Sequence, residues 1–427
     1  MDQGQPRNII ISHAYSKDNK GDAALLSVLI RETQRKFKPA KLTVLSLDTT
    51  KPGETFEGVP VEHAFMYFAN FGAASKPAKL AYGIYIMSAT TVWAYARRYL
   101  HISLPLPKSL RKIAKLYAEA DLVIAVGGGY LRGQRDLTSI YNLMLLTHPL
   151  FVASALGTPT ALYAQSFGPF YHTFEERLIR YTFNRKVSAI ITREQISKDL
   201  LEKIGVTKPI VKSVDAGFLF TAPKSADLRK MLKAKPKQLI VGITVRAWMQ
   251  PEKQAKYEQA IASLADHLVK KYGAKVVFIP QVTAKFHHDD DREVGQRVRK
   301  LIKHKKDVEV LMENYDHHQI KALYSDLDFI VGTRFHSIIF SLTAFVPALA
   351  IEYEHKTSGI MKDLGLDDWW VKIEDVSAEL LIQKADELIV HGEDYRKKLR
   401  KVLPGYIKQA SDSIDIVAET YADAASR

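Results

Sequence analysis

The sequence predicts an α/β protein built from two Rossmann-like domains with parallel sheets, facing each other across a central cleft. Three observations predict it. The chain has 427 residues, too many for a single hydrophobic core. Short apolar, β-rich runs alternate with helical patterns along most of its length. Midway, the Pro-, Lys- and Ala-rich stretch TAPKSADLRKMLKAKPKQ (221–238) interrupts the alternation, which then restarts. The expected organisation is an N-terminal domain over 1–221, a linker over 222–238, a C-terminal domain over 239–390, and C-terminal helices over 391–427 that pack across both.

The elements follow in order. NIIISHAY (8–15) reads as a strand, SKDNKGD as a polar turn, and AALLSVLIRETQRKF as a helix, with Leu25, Leu26, Leu29 and Ile30 on one face. KLTVLSLD (41–48), LVIAVGGGY (122–130) and TPTALYAQSFGP (158–169) supply three more strands. FEERLIRYTFNRK and QISKDLLEKIGV read as helices flanking the strand VSAIITRE, and IVKSVDAGFLF as a strand with a loop. After the linker, LIVGITVRAW (239–248), KVVFIPQV, VEVLME, DFIVGTR and VPALAIEYE read as strands, separated by helices. No short repeat or low-complexity tract is present, which excludes a solenoid.

Composition narrows the function classes. Hydrophobic residues make up 47% and charged residues 25%, which excludes a disordered or fibrous chain. There is no cysteine, so disulfides, zinc–thiolate sites and a cysteine nucleophile are excluded. The N-terminal MDQGQPRNIIISHAY lacks the pattern of a signal peptide, so a cytoplasmic location is expected. A net charge of +14 implies an anionic partner. The excess is local: from His63 to Ala118 there is no acidic residue, while Lys76, Lys79, Arg97, Arg98, Lys108, Arg111, Lys112 and Lys115 all fall there. Within it the uncharged stretch Leu80–Ala96 is too short to span a bilayer. It reads either as a helix lying on an anionic inner leaflet or as a buried helix beside a solvated basic loop.

Open parallel sheets bind ligands beyond the carboxyl ends of their strands. Arg334 and His336 stand where DFIVG ends and the next helix begins. An arginine at that junction is suited to a carboxylate or phosphate, and a histidine there to proton transfer. The alternative is an ordinary ion pair and a helix cap. Arg246 in GITVRAW holds the matching place in the first strand of the second half, or stacks on Trp248. The glycines of GGGYLRG (127–133) would let a ligand approach the backbone, or simply make a tight turn. In DNKGDAALL, Asp18, Asn19 or Asp22 would cap a helix. HHDDD (287–291) reads as a solvated first helical turn rather than a metal site.

Taken in order, NKGDAALL, AVGGGYL, AQSFGP, ITREQIS, VDAGF, GITVRAW and GTRFHSIIFSLTAFVPALAIEYEHKTSGIMKDLGL resemble the polysaccharide pyruvyl transferase family, over roughly residues 8–370. The resemblance implies a GT-B-like fold and transfer of a pyruvyl group from phosphoenolpyruvate to two hydroxyls of a sugar, forming a cyclic ketal and releasing phosphate. It implies a donor site of Arg334, Arg246, His336, Ser337 and Glu352, with Arg334 and His336 catalytic. It implies an acceptor side of Gly21, Asp22, Gly128, Gly129, Tyr130 and Ser166 on the opposite wall. Glu352, Asp215 and His13 are the candidates for a second acid–base group. Phosphoenolpyruvate would be a co-substrate, with no other cofactor, no metal and no nucleic acid. The acceptor could be lipid-linked, met at the inner face of an anionic membrane. Two other readings stay open: a GT-B glycosyltransferase using a nucleotide sugar, with Glu352 on the nucleoside, and a non-catalytic binder of anionic glycolipid.

Overall fold

The computed structural model describes residues 6–47, 53–71, 75–136, 138–223, 227–247, 250–284 and 289–426. Two compact units result. The first comprises the residues up to Ser16, Leu25–Ala216 and those from Gln409 onward; the second comprises Lys17–Ala24 and Gly217–Lys408. The stretch expected as a linker therefore falls within the second unit, where the N–H of Leu228 is bonded to the carboxylate of Asp326 at 2.8 Å.

The first unit carries β1 (Asn8–Ala14), β2 (Lys41–Ser46), β3 (Thr55–Phe56), β4 (Val59–His63), β5 (Leu122–Ala125), β6 (Gly128–Leu131), β7 (Thr160–Phe167), β8 (Ala189–Thr192) and β9 (Ile210–Lys212). Among the described residues they form one sheet in the order β3-β4-β2-β1-β5-β7-β8-β9, with β6 alongside β7. Every pairing is parallel except β3 with β4. Strands β1, β5 and β7 are buried on both faces, which is why they read as unbroken apolar runs rather than alternating ones. Strand order reverses between β1 and β5.

The second unit carries β10 (Ile240–Thr244), β11 (Lys275–Phe278), β12 (Thr283–Ala284), β13 (Asp289–Asp290), β14 (Val308–Val310), β15 (Phe329–Gly332), β16 (Ala348–Glu352) and β17 (Trp370–Lys372). Its main sheet is parallel, in the order β14-β11-β10-β15-β16-β17, and β12 pairs antiparallel with β13. Counting from β10, that is the 3-2-1-4-5-6 order of the doubly wound nucleotide-binding fold, whose ligand crevice opens where the order reverses. Here the reversal lies between β10 and β15. The expected second-half strands all appear at their places.

Among the described residues one helix, Ser139–Leu156, is long and apolar enough to cross a membrane. It is a core helix: Leu143, Leu145, Leu150, Val152 and Ala153 are buried against the first unit's sheet and helices. The chain ends in a single 48-residue helix, Ala378–Ala425, rather than several. Its part up to Lys408 groups with the second unit, where Tyr395 donates to the carbonyl of Ala348 at 3.1 Å. Its last part groups with the first, where Ser213 and Ser413 share a hydrogen bond of 2.7 Å.

Candidate active site

The order reversal in the second unit brings two arginines to adjacent strand ends. Parallel pairing sets Thr244 of β10 beside Gly332 of β15, so Arg246 and Arg334 each stand two residues beyond the same rung. Strands in a sheet lie about 4.8 Å apart, so both side chains issue from one narrow ledge. The ledge is braced from beneath. The Thr244 hydroxyl accepts the N–H groups of Thr333 and Arg334 at 3.1 and 3.2 Å and shares a 2.9 Å hydrogen bond with Ser337. Tyr257 holds the Thr333 hydroxyl at 2.7 Å. Arg334 is the N-cap residue of the helix Phe335–Leu342, and His336 lies in that helix's first turn, where backbone N–H groups and the helix dipole favour anions.

Arg334 is not a bare cation. Its Nε and Nη2 clasp the carboxylate of Asp291 at 3.0 and 2.6 Å, and both residues are buried. Asp291 also accepts the N–H groups of Gln281 and Val282 at 2.9 and 3.0 Å. Burial pushes the Asp291 carboxyl up, while the guanidinium and the two backbone N–H groups favour its ionised form. The acidic run was expected to be a solvated helical turn, but Asp290 and Asp291 are buried. His287 and His288 lie outside the described residues. The reason was legible: Asp291, Val294 and Val298 share the inward face of the helix Asp291–Leu301.

Arg246 is buried and its guanidinium lies over the Tyr353 ring, 4.1 Å from its centre, a cation–π contact. Trp248, the stacking partner considered from sequence, lies outside the described residues. At the end of β16, Glu352 accepts the hydroxyl of Ser358. Lys356 sits 5.1 Å from the centre of the Phe335 ring and pairs with Glu354 at 2.6 Å. Ser337, expected to touch the donor, is fully buried, and its hydroxyl is spent on Thr244 and on the Arg334 carbonyl. It shapes the ledge instead.

Gly21 and Asp22 belong to this side and not to the opposite wall. The segment Lys17–Ala24 groups with the second unit. The Lys20 N–H donates to the Gln281 carbonyl at 2.9 Å, and the Thr283 N–H to the Asp18 carbonyl at 3.0 Å. Asn19 is the cap, accepting from the N–H groups of Gly21 and Asp22 at 3.2 and 3.4 Å. The Lys20 ammonium, buried, donates to Asn314 at 3.0 Å, and desolvation lowers its pKa. Gly21 has no side chain for a concrete reason: a Cβ there would lie 2.0 Å from Nδ1 of His336. The backbone at 21 is thus one wall of the histidine's slot.

In the first unit the glycine stretch likewise lies beside an order reversal, between β1 and β5. It is not an open cradle. Residues 128–131 form β6, paired with β7 at Gly128–Gln165 and Leu131–Phe167. A Cβ at Gly127 would come within 2.9 Å of the Ala164 carbonyl oxygen. Tyr130 donates to the Val126 carbonyl at 2.9 Å, is reached by the Gln165 amide at 2.5 Å, and stacks on His13 with ring centres 5.0 Å apart. Gln165 was not foreseen, although AQSFGP places it one residue from Ser166. The Ser166 hydroxyl, expected at the acceptor, donates to Glu194 at 2.9 Å and accepts from Arg193 at 2.6 Å. Asp215 is completely buried and paired with Arg193 at 2.7 Å.

His13 is closed off in the same way. Its Nε2 is bonded to the Leu146 carbonyl at 2.7 Å and its Nδ1 to Ser12 at 2.9 Å, and burial lowers its pKa to about 4. His148, bonded to Thr90 at 2.9 Å, is lowered to about 4 by the same cause. Unfolded, both would titrate near 6.5, so between pH 6.5 and 4 the unfolded chain binds more protons than the folded one. Stability is present above that window and falls as pH drops through it, by up to about 3 kcal/mol for each histidine. Urea melts from pH 7 to 4 should show this loss, and His148→Gln should remove about half of it.

Residues 19–355 match the polysaccharide pyruvyl transferase family. The amylovoran biosynthesis protein AmsJ of Erwinia amylovora is 25% identical over 319 residues, covering 70% of this chain and 73% of that protein. Among solved structures, a glycosyltransferase from Rickettsia africae superposes with a TM-score of 0.59 at 12% identity, covering 97% of this chain and 98% of that one. Anabaena Alr3699/HepE in complex with UDP-glucose gives 0.55 at 12% identity over 99% and 100%, and S. aureus MnaA with UDP gives 0.56 at 14% over 96% and 95%. The fold is therefore GT-B-like, as expected. The chain belongs to the polysaccharide pyruvyl transferase family.

Proposed function

We propose that the protein transfers the pyruvyl group of phosphoenolpyruvate to two hydroxyls of a sugar in a polysaccharide or its precursor, with phosphate as the leaving group. The observation that carries the reading is the shared rung: Arg246 and Arg334 leave neighbouring strands at the same height, at the order reversal, beside His336 on a helix N-terminus. A three-carbon donor with a carboxylate and a phosphate needs two cationic or N–H-rich contacts close together, and this ledge supplies them. Arg246 takes one anionic group. Arg334, fixed in place by Asp291, orients the other at the helix N-terminus.

In the reaction, C3 of the enol is protonated, which leaves cationic character at C2. A sugar hydroxyl adds to C2 and loses its proton, the C2–O bond to phosphate breaks, and the second hydroxyl closes the ring on C2 and loses its proton. One proton is taken up at carbon and two are given up by oxygen, one of them leaving with phosphate. His336 in its slot is the group we assign to proton transfer, with Glu352 as second candidate now that His13 and Asp215 are engaged elsewhere.

The test is incubation with phosphoenolpyruvate and candidate sugar acceptors, including lipid-linked ones. Acceptor-dependent phosphate release with a product mass gain equal to a pyruvate ketal is expected. Turnover of a nucleotide sugar in place of phosphoenolpyruvate would replace this reading with glycosyl transfer.

A further inference from the structure

The helix Lys76–Tyr95, continued by a π-helical turn over Ala96–Leu100, is apolar on both faces. Gly83, Ile86, Thr90, Trp93 and Ala94 face inward and are buried. The outward face carries Ile84, Tyr85, Val92, Tyr95 and Tyr99, all exposed. Beyond it Leu100 and Ile102 are 65% and 52% exposed, and Leu104 is exposed too. A helix that is apolar all round is normally covered all round. This one has a covered side and a wet side, and the wet side merges with an apolar loop tip.

Along the chain through that tip the charge has one sign, although Lys112 pairs with Glu62 at 2.6 Å. Arg97 and Arg98 leave the π-turn, and Lys108, Arg111, Lys112 and Lys115 follow, with no acid between His63 and Ala118. Two cavities open at the base of the tip. One, of about 500 Å³, is lined by Arg97, Arg98 and His101 beside Gly157 and Tyr421. The other, of about 440 Å³, is lined by Arg97, Arg111, Lys115 and Trp93. Each holds one acid that is already engaged: Asp121 accepts the N–H groups of Arg7 and Asn8 at 2.8 Å, and Glu119 lies 3.7 Å from Lys115.

We propose that this face, from Leu80 to Leu104, docks on an anionic lipid bilayer, with the tip Tyr99–Leu100–Ile102–Leu104 inserted at the headgroup level and the arginines around the two cavities on lipid phosphates. Tyrosines with basic flanks are what a membrane–water interface selects. A second copy of the chain would bring the same predominantly basic surface and be repelled by it. The inference stands apart from the pyruvyl-transfer reading, since it concerns binding alone.

The experiment is co-sedimentation with vesicles of phosphatidylcholine alone or with phosphatidylglycerol, with circular dichroism to confirm that each variant is folded. Wild-type protein should pellet with the anionic vesicles, weakly with the neutral ones, and should be released by salt. Arg97→Gln with Arg98→Gln should weaken partitioning by more than ten-fold, at about five-fold for each arginine. Leu100→Ser with Ile102→Ser should weaken it by a similar factor, and Leu100→Trp should shift its emission to the blue on anionic vesicles only. Wild-type protein left in the supernatant, or double variants that bind as tightly as the wild type, overturns the proposal. So does a dimer in light scattering that Leu100→Ser with Ile102→Ser dissolves, because the face would then belong to a second copy.

Discussion

Arg334→Met should destabilise the second unit by about 3–5 kcal/mol and abolish transfer, whereas Arg334→Met combined with Asp291→Leu should recover part of the stability and none of the activity. The first loss follows from the pairing. Asp291 is 3% exposed and its carboxylate is held by two guanidinium nitrogens and two backbone N–H groups. Removing the arginine strands a buried charge, and breaking such a pair typically costs this much, while replacing both partners with apolar groups removes the charge and leaves only the N–H groups of Gln281 and Val282 without their acceptor. Chemical melts of the two variants give the stability comparison, and acceptor-dependent phosphate release gives the activity. The double variant separates the roles: full activity in a refolded, pair-free protein would reduce Arg334 to a strut.

Gly21→Ala should lower turnover by about 100-fold while costing only about 1–3 kcal/mol of stability. The added methyl carbon would sit 2.0 Å from Nδ1, 2.3 Å from Cγ and 2.7 Å from Cβ of His336, so the ring must leave its position. A displacement of about 1 Å at a proton-transferring group is enough for such a loss. In a His336→Ala background the clashes with Nδ1 and Cγ disappear and only the 2.7 Å contact with Cβ remains, so Gly21→Ala should then cost less stability and little further turnover. A double-mutant cycle reads this coupling directly. Additive effects would mean that the slot does not position the histidine.

The strands were legible because parallel strands covered on both faces leave continuous apolar runs, as in FIVG of β15 and ALAIE of β16. The ledge was legible for the same reason, since Arg246 and Arg334 each interrupt such a run at its carboxyl end. The short strands β3, β4, β12, β13 and β17, of two to five residues, leave too little pattern to be read. The partner of Arg334 was available in principle from helix phase, because Asp291 shares the inward face with Val294 and Val298. The placement of Lys17–Ala24 with the second unit was not. It depends on backbone hydrogen bonds to Gln281 and Thr283, more than 250 residues away, which leave no periodic trace in either segment.

The central claim is that phosphoenolpyruvate is held on the ledge at the ends of β10 and β15. Calorimetric titration of the wild type and of Arg246→Gln, which leaves the Arg334–Asp291 pair intact, tests it most directly. The account predicts saturable binding of phosphoenolpyruvate by the wild type and a loss of about 10- to 100-fold in the variant, the effect of removing one charge-assisted contact. Equal affinity in both proteins, or binding of a uridine-diphosphate sugar where phosphoenolpyruvate does not bind, would contradict it.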